Sequence, residues 1–185
     1  YCTNAELASS GVLNWNSTDY TFNITGALSV ESGFTFSNAS SGVIAFTGST
    51  DQNIEISQAF PGSIVVNNTG NTVNITGDSE VEGDITISAG TLLISSGTTL
   101  TVGGNLSVAS GGELSIEDGA TLNFSNSATL TVASGGTLTL VGSSGSNAII
   151  TSNSTSDSVE IDINGTIAAQ YYLIEHLSAD GLHIS

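Results

Sequence analysis

The most regular stretch of the chain runs from Asp84 to Gly142 and reads DITISAGTLLISSGTTLTVGGNLSVASGGELSIEDGATLNFSNSATLTVASGGTLTLVG. Leucines fall at 92, 100, 106, 114, 122, 130 and 138. Each is followed two residues later by Ile94, Val102, Val108, Ile116, Phe124, Val132 or Leu140. A separation of two places both apolar side chains on one face of an extended strand. Between these units come Gly, Ser, Asn or Asp, which accept the tight corners that short strands need. The pairing continues upstream at Leu28/Val30, Phe34/Phe36, Ile54/Ile56 and Val73/Ile75. Downstream it returns at Val159/Ile161/Ile163, Ile167, Tyr172/Ile174 and Leu182/Ile184.

The pattern predicts an all-β protein of very short strands. Two architectures fit: an antiparallel meander or sandwich, and a parallel β-helix, or β-solenoid, whose coils stack like on like. The monotony of Leu followed by a branched or aromatic residue favours the solenoid, because equivalent strands of successive coils then align the same residue kinds. Three strands per coil would put Leu92, Leu114 and Leu138 in one column. Two per coil would align Leu92, Leu106, Leu122 and Leu138 instead, and the spacing permits either.

Residues 1–19, with Trp15, follow the pattern poorly and are expected to form an arm or cap. The solenoid is expected over 20–185, most regular over 84–142, with the single proline, Pro61, in a turn. Leu182-His183-Ile184-Ser185 reads as part of an alternating strand. Solenoid coils need covering at their ends, so another subunit or further chain is expected to pair there.

Composition narrows the function classes. The 185 residues include 17 Asp plus Glu, two His, and no Lys or Arg. Average usage would supply roughly 20 basic residues in a chain of this length. Without cations the chain cannot neutralise nucleic-acid phosphates, dock on anionic lipid through a basic patch, or build a P-loop. A mean hydropathy of +0.22 leaves enough apolar material for a core. No apolar run approaches the ~18 residues of a membrane-spanning helix, and no membrane insertion is expected. No basic segment opens the sequence, which reads as a mature chain. Cys2 is the only cysteine and the candidate for an intermolecular disulfide. Tyr1 precedes it, which argues against a lipidated N-terminal cysteine.

Nine Asn-x-Ser/Thr sequons begin at Asn16, Asn23, Asn38, Asn67, Asn74, Asn105, Asn123, Asn153 and Asn164. That is roughly twice what the composition would generate by chance, and these asparagines are glycosylation candidates for a surface protein. The competing reading is that Asn, Ser and Thr are simply the outward residues of the coil. Asp78, Glu80, Glu82 and Asp84 alternate in GDSEVEGD. If extended, the four carboxylates share one face and form a candidate calcium site, since a hard cation would relieve their repulsion. A solvated acidic turn is the alternative. Glu160 and Asp162 form a weaker outward pair. Glu175, His176, Asp180 and His183 gather late in the sequence, but their spacing matches no zinc pattern.

Catalysis finds little footing. No basic residue is present to steady a carbanion, nothing selects a pair among the 17 carboxylates, and neither His sits in a nucleophile motif. Thr-Leu-Thr at Thr99/Thr101, Thr129/Thr131 and Thr137/Thr139 suggests an ice-binding face, but interruptions such as Glu113/Ser115 and Thr121/Asn123 favour ordinary outward threonine.

The tract 84–142 resembles repetitive cell-surface β-solenoid proteins of bacteria and archaea, including adhesin and autotransporter passengers. The segment from Ile167 to Leu182 is similar to coils of large secreted parallel β-helix proteins. The resemblance implies an extracellular structural or adhesive protein and says nothing of catalytic residues. The function expected is a non-enzymatic subunit of a filament, sheath or surface layer, partnered by copies of itself through the chain ends and by surface glycans. The alternative is an adhesin stalk or passenger fragment. More distant are a polysaccharide-acting β-helix enzyme and an ice-binding protein.

Overall fold

A computed structural model describes residues 2–8, 11–14, 20–37, 42–153 and 158–185. Within them the chain is all-β, a solenoid of about seven turns. The strands begin with β1 (Ala5–Leu7), β2 (Val12–Asn14), β3 (Thr21–Ile24), β4 (Leu28–Val30), β5 (Thr35–Ser37), β6 (Val43–Phe46) and β7 (Gln52–Ile56). They continue with β8 (Ser63–Ile75), β9 (Ser79–Val81), β10 (Ile85–Ile94), β11 (Thr99–Val102), β12 (Leu106–Val108), β13 (Gly112–Ile116) and β14 (Thr121–Phe124). The last are β15 (Ala128–Val132), β16 (Thr137–Val141), β17 (Ala148–Ser152), β18 (Val159–Ile163), β19 (Thr166–Gln170), β20 (Tyr172–Ile174) and β21 (Leu177–Ile184).

Among the described residues every strand pair is parallel, which is the solenoid and not the meander. The coil has three sides. Leu92 pairs with Leu114 and Leu114 with Leu138, the column expected for three strands per coil. Successive leucines of the repeat therefore sit on successive faces. One face stacks β1, β4, β7, the end of β8, the end of β10, β13, β16 and β19. A second stacks β3, β6, the start of β8, the start of β10, β12, β15, β18 and β21. The third stacks β9, β11, β14, β17 and β20, with β2 and β5 paired separately. Because β8 and β10 run round a corner, they join the first two faces into one 14-stranded sheet.

Alternation then decides which side chains go inside. Phe22, Ile44, Ile64, Ile85, Leu106, Leu130, Ile161 and Leu182 form one continuous column of the second face. From Ile44 to Ile161 its members are at most 2% exposed. Burying each such side chain stabilises by about 1.5–3 kcal/mol, less what ordering costs. The earlier coils add aromatic filling: Phe36 meets Phe34 and Phe60 edge-on, with ring centres 5.0 and 5.1 Å apart.

Within 1–19, the segment expected as an arm or cap, β1 and β2 pair in parallel with β4 and β5. Ala5 is buried, and Leu7 and Leu13 pack on the core. Trp15 lies outside the described residues.

Candidate functional site

Asn4, Asp51, Asp78, Asp84 and Asn105 each stand immediately before a strand, and the fold gives them a shared task. Asp78 Oδ1 accepts the N–H of Thr99 at 2.8 Å, one turn ahead. Asp84 Oδ1 accepts the N–H of Asn105 at 2.8 Å, and Asn105 Oδ1 accepts that of Thr129 at 2.9 Å. Asp51 does the same for Thr72 at 2.9 Å, and Asn4 for Ala27 at 2.8 Å. Each bond ties the residue before a strand of one coil to the next coil, at or beside a strand start for Ala27, Thr99, Asn105 and Thr129 and inside β8 for Thr72. The donors are main-chain amides outside the regular ladder, and an ionised acceptor strengthens such a bond.

This geometry corrects the expected single acidic face. Only Glu80 of the four lies in a strand, the three-residue β9; Asp78 precedes it at a corner. The chain bends at Glu82–Gly83, and Asp84 begins the approach to β10 on another face. Val81 does face inward, fully buried. Asp78 and Glu80 border a shallow groove of about 360 Å³ with Ile56, Ser57, Thr99 and Thr101. Among the described residues no three His, Cys, Asp or Glu side chains come together as a metal ion would need.

The late histidines are engaged with the main chain. His176 Nδ1 donates to the Ser152 carbonyl at 2.8 Å, and His183 Nε2 to the Asp180 carbonyl at 2.7 Å. Glu175 accepts from the Thr151 hydroxyl at 3.3 Å. Glu160 and Asp162 are half-exposed on β18 and face outward between buried Val159, Ile161 and Ile163.

Seven of the nine sequon asparagines are described; Asn16 and Asn38 lie outside the described residues. Asn23, Asn74 and Asn123 stand half-exposed on strands, and Asn67, Asn105, Asn153 and Asn164 are exposed. In the sequons of Asn23, Asn74, Asn105 and Asn123 the middle residue is Ile24, Ile75, Leu106 or Phe124, each buried. Period-two alternation alone yields Asn-apolar-Ser/Thr there, which accounts for part of their abundance. Cys2 is half-buried, paired beside Ile24 and packed on the core. Its Sγ donates to the Asn4 carbonyl at 2.7 Å.

Outward threonines do not form an unbroken array. Thr101 is followed one coil on by Asn123, and Thr91 by Glu113, whose carboxylate accepts from Thr91 at 3.3 Å and Thr139 at 2.8 Å. The inter-coil clips were not anticipated from sequence. Their signal is an Asp or Asn some 21 to 24 residues before a strand start, which has meaning only once the coil length is known. No protein-family model matches the chain, and neither a curated protein nor a solved structure matches it.

Proposed function

We propose that this chain is a non-enzymatic structural element of an extracellular assembly, a filament, sheath or surface layer, extended along the solenoid axis by parallel strand contacts. The observation that carries the reading is the continuity of the columns. The inward positions of the coils are apolar and buried almost throughout, with Gln52, Asn68, Ser79 and Ser152 as buried polar members, and many outward polar groups are spent on bonds between coils. That arrangement makes a stiff rod and leaves few groups for chemistry. Among the described residues β19, β20 and β21 each pair on one side only, and Leu177, Leu182 and Ile184 are exposed beside them. The first coil of a second copy would continue those columns, burying apolar surface while pairing the edge. In this reading Cys2, half-buried in the first coil, forms an intermolecular disulfide that reinforces such a junction, and surface glycans are the expected environment.

Negative-stain microscopy of purified protein tests the reading. Regular polymers with a distribution of lengths are the expected result. Isolated rods of one length would overturn it in favour of a stalk carrying a recognition module. Dimers on non-reducing gels that vanish with a thiol reductant and with Cys2→Ser would establish the disulfide; a monomer band under both conditions would remove it.

A further inference from the structure

Sequon asparagines in this fold occupy two different chemical situations. Attaching an N-glycan forms a bond from Asn Nδ2 to the first sugar carbon, breaks that carbon's bond to a lipid pyrophosphate, and releases one Nδ2 proton. One N–H remains afterwards. Asn74 Nδ2 donates to both the Gln52 carbonyl at 3.4 Å and Asn53 Oδ1 at 3.1 Å. Asn123 Nδ2 donates to both Thr101 Oγ1 at 3.4 Å and Asn153 Oδ1 at 2.6 Å. These two have no hydrogen to spare, and they sit mid-face between strands about 4.8 Å away on either side.

Asn67, Asn105 and Asn164 differ on both counts. Each is exposed and at a corner or beside one. Among the described residues no acceptor takes a hydrogen from Nδ2 of Asn67 or Asn105. Asn105 is anchored through its oxygen instead, by the N–H of Thr129. Asn164 gives one hydrogen to Asp162 Oδ1 at 3.2 Å and keeps the other. Its sequon has Gly165 in the middle, so strand alternation does not explain it. A glycan on any of the three would displace no hydrogen bond from its Nδ2 to another coil.

We infer that Asn67, Asn105 and Asn164 are N-glycan acceptors of the folded chain, and that Asn74 and Asn123 are structural amides that stay unmodified. The inference rests on reading the protein as exported. The test is site mapping on protein secreted by a eukaryotic host behind an added leader. Glycans are removed enzymatically in ¹⁸O water, which marks each formerly occupied Asn as ¹⁸O-labelled Asp. A second sample is folded, unglycosylated protein treated with a single-subunit oligosaccharyltransferase and a lipid-linked oligosaccharide. Label at Asn67, Asn105 and Asn164, and none at Asn74 or Asn123, is expected. Label at Asn74 or Asn123 in the sample glycosylated after folding, or its absence there at any of the three, overturns the assignment. Because export is imposed by the leader, failure here speaks only of these asparagines; the assembly reading stands or falls on microscopy.

Discussion

Asn68 Nδ2 donates to Gln52 Oε1 across 2.9 Å, and both side chains are fully buried at the corner between two faces of the solenoid. The pair is saturated. Gln52 Nε2 donates to the carbonyls of Ile24 and Gly26, its Oε1 also accepts from Gly48, and Asn68 Nδ2 reaches the carbonyl of Thr50. The carbonyls of Gly26 and Thr50 and the N–H of Gly48 find partners here, and the Ile24 carbonyl gains a second donor beside the Thr47 N–H, linking three successive coils. Unpaired, each buried group would cost about 1–3 kcal/mol.

Gln52→Leu removes the hub while keeping volume. It should lower stability by about 3 kcal/mol or more, because several groups lose their partner at once. Asn68→Ala should cost less, about 1–3 kcal/mol. The urea midpoint reads both. Near-equal small losses would mean that water replaces the network and that the corner is open.

Gly70 and Gly90 separate backbone strain from steric exclusion. Both lie at left-handed φ, 77° and 80°, at equivalent corners of successive coils. A Cβ at Gly70 meets nothing within 4 Å, whereas at Gly90 it would collide with the Asn68 carbonyl oxygen. Gly70→Ala should cost about 1–2 kcal/mol, the left-handed penalty alone. Gly90→Ala should cost clearly more and shift the Asn68 corner. Equal thermal midpoints for the two variants would show that the coils part freely there.

The sequence disclosed the columns because Leu-x-apolar units are governed by one local rule, strand alternation. It could not disclose the number of sides, since the leucine intervals suit two or three strands per coil until Leu92 is seen beside Leu114. Gln52 and Asn68 were illegible for a different reason: a buried polar side chain looks like an exposed one until its partners 16 to 28 residues away are in place. The acidic run left a shared face and a solvated turn both open, because alternation in GDSEVEGD does not show that β9 is only three residues long or that the chain bends at Glu82–Gly83.

Asp78 tests whether the corner clips depend on charge or on an acceptor. Asp78→Asn retains an oxygen for the Thr99 amide, and its melting temperature should stay within a degree or two of the parent's. Asp78→Ala leaves that amide to water and should cost about 0.5–1.5 kcal/mol. Loss of stability in the Asn variant equal to that in the Ala variant would assign the effect to the charge.

The absence of Lys and Arg makes the response to salt unusually simple. With the histidines neutral, every interaction between fixed side-chain charges is repulsive, and at 0.1 M salt screening acts beyond about 10 Å. Added NaCl should therefore raise the melting temperature from the lowest salt upward. A protein held by ion pairs would show an initial fall. Asp78 and Asp84 each commit one oxygen to a main-chain amide, and the bend separates Asp84 from Glu80. Calcium at matched ionic strength should accordingly raise the melting temperature no further than sodium does. Glu80→Gln combined with Glu82→Gln should raise it in both salts alike by easing repulsion. A calcium curve above the sodium curve, collapsing onto it in that double variant, would instead establish a cation site at the acidic run.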